Sequence, residues 1–335
     1  MSDALQCNDS VLDAVRAFLV ALHSGRGLAE SMAAMVRETS GLPLTQLAAW
    51  EMMIRRELWT DEARARQSRW TFRAKPGRHL SWLDLCSSDG FRRERVLRSL
   101  SAGAPNGFFC ALAMRRLNDW VPQVRQAARE RLPLIAQCSE PEDVVDGLWS
   151  LLPHVTSWGR MGSEDRKLVE DLIAVEPVSN ALKARILKAT AGPASLILAQ
   201  AGRSSALDRW LEVFARDAVQ PTVRARAYRC LLERRVAWVV GRTWIWTELQ
   251  WCKGRFEPVL EERSISVDAP FIDVLKDALE DRSSVVRRVA GELLIKQLDS
   301  MGTDAIRLAN TLASDSSPCV AERGRFALEK LGRPV

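Results

Sequence analysis

The sequence is poor in the residues from which most catalytic and metal sites are built. Its 335 residues include three histidines and one tyrosine. His23, His79 and His154 stand far apart in the chain, and none lies beside paired cysteines, so no metal site is expected. The seven cysteines are scattered, odd in number and without a Cys-x-x-Cys pair. In a chain with no secretory signal, that pattern points to reduced thiols and a cytoplasmic location. Cys110 and Cys230, among core-type neighbours, read as small buried hydrophobes. Glycine (18) and proline (14) are sparse against abundant Leu, Ala, Arg and Glu, which argues against an all-β protein. The longest uncharged stretch, 99–114, is 16 residues broken by Gly103, Pro105 and Gly107, too short to span a bilayer. No membrane association is therefore expected. The apolar run at 11–22 carries Asp13 and Arg16 and is not a signal-peptide core.

Catalytic signatures are missing as well. There is no Gly-x-Ser-x-Gly elbow, His-Glu-x-x-His helix, phosphate-binding loop or calcium loop. Gly25-Arg-Gly27 lacks a third glycine and follows a helical pattern, so it reads as a turn. The acidic pair Glu142-Asp143 and the trio Glu261, Glu262 and Asp268 read as solvated faces, because adjacent carboxylates on a helix point in different directions. The expectation is a protein that is not an enzyme, with no cofactor and no catalytic residue to assign.

With 47% hydrophobic and 27% charged residues, the chain has the composition of a folded, soluble protein. The formal charge of +6 is unevenly spread. Residues 55–131 carry +9 and residues 216–255 carry +6, within an otherwise mildly acidic chain. Such islands attract acidic partners, although solvated arginine faces on helices produce similar runs.

The most informative feature is a short pattern that returns four times. It runs Asp119-Trp-Val-Pro-Gln-Val124-Arg125, Asp217-Ala-Val-Gln-Pro-Thr-Val223-Arg224, Asp281-Arg-Ser-Ser-Val-Val286-Arg287 and Asp315-Ser-Ser-Pro-Cys-Val320-Ala321. Each valine is followed at i+4 by a small residue and at i+8 by leucine: Val124/Ala128/Leu132, Val223/Ala227/Leu231, Val286/Ala290/Leu294 and Val320/Gly324/Leu328. This spacing places each trio on one helical stripe, where the small residue admits a neighbouring helix. The aspartates are separated by 98, 64 and 34 residues, close to three, two and one units of about 33.

These motifs resemble the HEAT-repeat family, whose unit is a helix pair with Asp in the turn and Val-Arg opening the second helix. The resemblance covers about 105–136 and 205–335, is degenerate over 139–204, and is not evident before about residue 80. It implies an all-α fold, a right-handed α-solenoid of HEAT-like helix pairs, with an N-terminal helical region and basic connector over 1–79 and the repeat array over 80–335. Ala321 stands where the other copies have arginine, which suits a terminal repeat. First helices of the pairs are expected at 106–117, 205–216, 270–279 and 303–313. Further helices are expected at 10–23, 28–39, 44–59, 140–152, 163–175, 180–190 and 194–202.

One segment breaks the pattern. Residues 236–267 hold Trp238, Trp244, Trp246, Trp251 and Phe256 with Gly241 and Gly254, and read as an irregular or β-hairpin insertion. Trp244-Ile-Trp246 alternates like a strand, and 263–267 is a candidate to pair with it. Insertions between repeats commonly carry function.

Two functional classes follow. The first is a protein–protein scaffold or adaptor that grips another protein with the array and insertion, using Trp244, Trp246, Trp251, Lys253 and Arg255 as anchors. The second is nucleic-acid binding through the basic islands: Arg69, Arg73, Arg78, Arg92, Arg93, Arg115 and Arg116 in one, Arg234, Arg235 and Arg242 in the other. Trp70, Trp82 and Trp120 would then offer stacking surfaces. Some HEAT-like DNA glycosylases bind DNA in a basic groove, but their catalytic pattern does not align onto this chain. The stripe makes a direct prediction: Ala290→Leu overpacks a helix–helix contact and costs about 1–3 kcal/mol in denaturant unfolding, and full tolerance would remove this reading of the stripe.

Overall fold

The computed structural model describes residues 2–68, 80–266 and 269–332, with side chains from residue 9 and without those of 65–68. The chain divides into two compact units, Met1–Leu172 and Ile173–Val335. Both are mostly helical, and the second carries a small two-stranded antiparallel sheet. Among the described residues no helix is long and apolar enough to cross a membrane.

The first unit contains α1 (Ser2–Ser24), α2 (Leu28–Ser40), α3 (Leu47–Ser68), α4 (Gly90–Ser99), α5 (Gly107–Arg115), α6 (Pro122–Gln137), α7 (Pro141–Leu151) and most of α8 (Ser163–Ala174). Val11, Val15, Phe18 and Leu22 line one buried stripe of α1, and Arg16 ties that helix to α3 through a bidentate bond to Glu57. Helix α5 is buried from Gly107 to Met114, as expected of a helix apolar all round. Asn106 caps it by accepting the Phe109 N–H, and donates to Val36 O and Thr39 Oγ1 of α2. The boundary expected at residue 79 falls inside this unit. Glu51 of α3, before it, accepts bonds from Arg115 and Arg116, after it, and Arg55 donates to the Cys86 carbonyl.

The second unit contains α9 (Glu176–Lys188), α10 (Ala194–Ala201), α11 (Leu211–Asp217), α12 (Pro221–Glu233), α13 (Phe271–Leu279), α14 (Ser284–Gln297), α15 (Thr303–Ala313) and α16 (Pro318–Lys330). Helix α12 packs on α14, and α14 on α16. All four sequence trios are buried, and the small residue has the expected purpose: a Cβ on Gly324 would lie 2.1 Å from the Ala313 nitrogen of α15. Pro122, Pro221 and Pro318 open their helices, where a missing N–H costs nothing.

The motif arginines share one contact. Arg125, Arg224 and Arg287 each occupy the fourth residue of their helix and donate Nη1 to the carbonyl six residues back, at 2.7–2.8 Å. Arg224 then grips Asp281 with Nε and Nη2 at 2.7 and 2.9 Å, and Arg287 grips Asp315 at 2.6 and 2.9 Å. Each aspartate also accepts the N–H two residues on, Ser283 or Ser317. Arg93, expected in a basic surface island, is instead a further member. It is the fourth residue of α4, reaches the Ser87 carbonyl at 2.8 Å and grips Asp119 with two bonds of 2.8 Å. Asp217 is one residue out of register. The turn position two before the N-cap is Ala218, and Asp217 is an exposed helix end. The fourth residue of α9 is Ser179, so neither half of a rung is present at that pair of positions.

The sheet replaces the next turn. Arg234 takes a left-handed conformation (φ 53°) at the end of α12 and turns the chain into β1 (Arg235–Glu248). Residues 249–252, with Cys252 also left-handed, reverse it into β2 (Lys253–Ser264). The pairing expected between Trp244–Trp246 and 263–267 does not form. Trp244 pairs with Phe256 and Trp246 with Gly254, while Arg263 pairs with Val236 at the root. The short reversal sets this register, because the strand begins directly after it.

The ladder predicts an acid-sensitive term. Arg287 and the Ser317 N–H hold the Asp315 carboxyl below its usual range. At Asp119 burial alone would raise the value, but the Arg93 bonds and the Val121 N–H outweigh it. Such depressed groups add stability that is present above the unfolded value, near 4, and lost as pH falls through the folded value. Asp315→Asn therefore costs about 3 kcal/mol at neutral pH, and its gap from the native chain narrows in denaturant unfolding below about pH 4.

Candidate partner-binding site

The hairpin is fastened at its root and bare at its tip. Val236 and Trp238 of β1 are buried, and Gly202 leaves room for Val236: a Cβ there would meet the Val236 methyl at 2.4 Å. Gln200 of α10 donates to the Val239 carbonyl at 2.9 Å, and the Arg203 guanidinium lies 5.3 Å above the Trp238 ring. Arg263 forms the central clamp. It makes two 2.7 Å bonds to the buried Asp208 carboxylate and donates to the carbonyls of Gly202 and Ser204. Arg235 adds pairs with Glu233 and Glu262, and the Trp238 indole donates to Glu261.

Beyond Val239 the strands leave the helices. A register irregularity between Val239 and Gly241 lets the even positions of β2 share a face with Trp244 and Trp246. That face carries Trp244, Trp246, Phe256, Pro258 and Leu260. Trp244 packs edge-on against Trp246 (5.5 Å between centroids) and Phe256 (4.9 Å), and lies across Gly254, where a Cβ would meet it at 2.5 Å. Exposure remains high: Trp244 40%, Trp246 52%, Phe256 63% and Trp251 67%. All three tryptophans singled out from the sequence thus reach solvent. Their cationic neighbours are neutralised, Lys253 by Glu248 at 3.6 Å and Arg255 by Glu257 at 2.6 Å. Phe256 and Ile245 were noted in the insertion but not among its anchors, and Val259, Leu260 and Leu249 were passed over, although all five are exposed; the alternation of Phe256, Pro258 and Leu260 was the available signal.

The arginines of the first island serve the interior. Arg92 pairs with Asp84 and Glu62, Arg93 with Asp119, Arg115 with Glu51, and Arg116 with both Glu51 and Asp119. Arg93 and Arg116 are buried. Trp82 is buried against Phe109, and Trp120 is exposed with the Arg93 guanidinium 5.7 Å from its ring. In the second island Arg234 and Arg242 are exposed and Arg235 is paired. Arg69, Trp70, Arg73 and Arg78, with the rest of the connector to His79, lie outside the described residues, as does Asp268.

Chemistry elsewhere is quiet. Among the described residues no group of His, Cys, Asp and Glu is placed to hold a metal ion. Burial pushes the Cys110 thiol up to about 12 and the Cys230 thiol up to about 11, which leaves both as inert thiols. No protein-family model and no curated protein matches this sequence.

The clamp gives a test of how the tip is presented. Arg263→Met leaves Asp208 buried without its cation, and about 3 kcal/mol should be lost in denaturant unfolding. Hydrogen exchange should rise first across 235–264; unchanged protection there would show that the clamp does not hold the hairpin.

Proposed function

We propose that this protein is a binding scaffold: a HEAT-like array, built as a right-handed α-solenoid, that captures another protein through the tip of its hairpin and performs no reaction of its own. The exposed aromatic face of Trp244, Trp246 and Phe256, extended by Leu260, carries this reading. A contiguous apolar surface on a fastened support is costly to leave in water and is the usual mark of an interface. Aromatic anchors supply most of the energy at such interfaces, and a two-stranded ribbon holds them at little entropic cost. Lys253 and Arg255 already have carboxylate partners, so apolar area dominates the tip and Arg242, exposed beside Trp244, is its one cation without an ion pair among the described residues. This favours a protein over a nucleic acid, whose phosphates draw on free cations.

The test uses the full chain as bait, beside Trp246→Ala, in the lysate of its own cells, followed by titration of the purified partner. Trp246→Ala should weaken that partner by about tenfold or more, with an unchanged melting temperature because the indole is half-exposed. The reading fails if Trp246→Ala binds the partner as well as the native chain does. It also fails if short DNA or RNA binds at about 50 mM salt with a steep salt dependence and the partner competes for no site on the hairpin.

A further inference from the structure

A second surface of the same unit is built for a different ligand. Between α11 and α13, with α12 as its floor, lies a groove of about 150 Å³. That is well below the roughly 300–1,000 Å³ of small-molecule pockets and suits a single side chain. One wall is the i, i+4 pair Asp273 and Asp277 of α13, and the other is Glu212 with Arg216 of α11. Glu212 is answered by Arg216 at 3.1 Å, and Asp273 loosely by Lys276 at 3.6 Å. Asp277 has no cation partner among the described residues.

The floor supplies the independent observation. Tyr228, only 5% exposed, lines the groove, and its hydroxyl makes no hydrogen bond with the described residues. The ring is buried, but the hydroxyl is not among the buried unpartnered atoms, so its tip reaches the groove. Burial, with Asp277 and Asp281 nearby, outweighs the Arg216 and Arg224 guanidiniums and pushes the hydroxyl up to about 12. It therefore stays a neutral acceptor and donor in a negative field. Leu231 and Val274 complete an apolar lining.

We infer that this groove binds the side chain of a lysine presented by a partner protein, with its methylenes against Leu231 and Val274 and its ammonium among Asp277, Asp273 and the Tyr228 hydroxyl. The charge complementarity is direct, since the site offers an unanswered carboxylate and an unused hydroxyl to a group with three donors and no acceptor. A compact, rotatable ammonium fits acceptors arranged around a narrow opening better than a planar guanidinium, which favours bidentate pairing. The inference stands apart from the hairpin reading and survives its failure.

Tyr228 is the only tyrosine in the chain, so ring-labelled tyrosine gives a single, site-specific NMR signal. The full chain is titrated with Nα-acetyl-lysine methylamide, and with the norleucine and arginine analogues and putrescine. The lysine compound should shift the Tyr228 signal saturably. The shift should need at least about tenfold more ligand in Asp277→Asn, an exposed substitution, and should weaken as salt is raised. An equal response to norleucine, an unaltered titration of Asp277→Asn, or no saturable shift would overturn the inference. Tighter binding of the arginine analogue would overturn the choice of lysine, and tighter binding of putrescine would assign the groove to a free diamine.

Discussion

A buried guanidinium gives up water at its N–H donors and is costly unless protein acceptors replace that water, and this requirement organises the helices of this protein. At the fourth residue of α4, α12 and α14, arginine reaches back to a carbonyl of its own turn and sideways to an aspartate of a following turn. The aspartate is itself held by an N–H two residues on, so its own turn orients the carboxylate that the arginine grips. Successive turns are thus locked in register by polar geometry. The Val, small and Leu stripe supplies the apolar contact that polar geometry alone does not. Removing one member of a rung strands the other, so breaking a rung costs more than the intact pair contributes.

In the first unit the same requirement spreads into a network. Arg116 bridges Asp119 and Glu51, and Glu51 also takes Arg55 and Arg115. Charge that looks like an external basic island in the sequence is therefore partly consumed inside. A count of charges along a chain does not distinguish arginines that face water from arginines that answer distant carboxylates.

The helical character and the packed stripe were legible because their periodicities are local. Arg93 was missed because Arg92 occupies the stripe position where the other copies have valine, so only its place in the helix marks it. The misplaced Asp217 was legible in principle. Proline follows Asp119 and Asp315 at i+3, as Pro122 and Pro318, but follows Asp217 at i+4, as Pro221. The hairpin was recognised from Trp244-Ile-Trp246, yet its pairing was not. Both faces of the tip meet solvent, so the alternation of Phe256, Pro258 and Leu260 with Arg255 and Glu257 is interrupted by the exposed Val259 and marks no buried face. That mixture has a use. Both strands of a two-stranded ribbon are edges, and Pro258 with the flanking charges discourages another strand from adding there. The aromatic face is left as the available surface.

The empty rung at Ser179 and Ala218 constrains how such a sequence can change by single steps. An aspartate replaced first leaves its arginine desolvated with the Nε and Nη2 donors unanswered, a loss of about 3 kcal/mol and a large share of the stability of an ordinary domain. An arginine replaced first leaves an aspartate still satisfied in part by its own turn. The ladder is therefore a ratchet in mutational space: a rung is dismantled from the arginine side and rebuilt from the aspartate side.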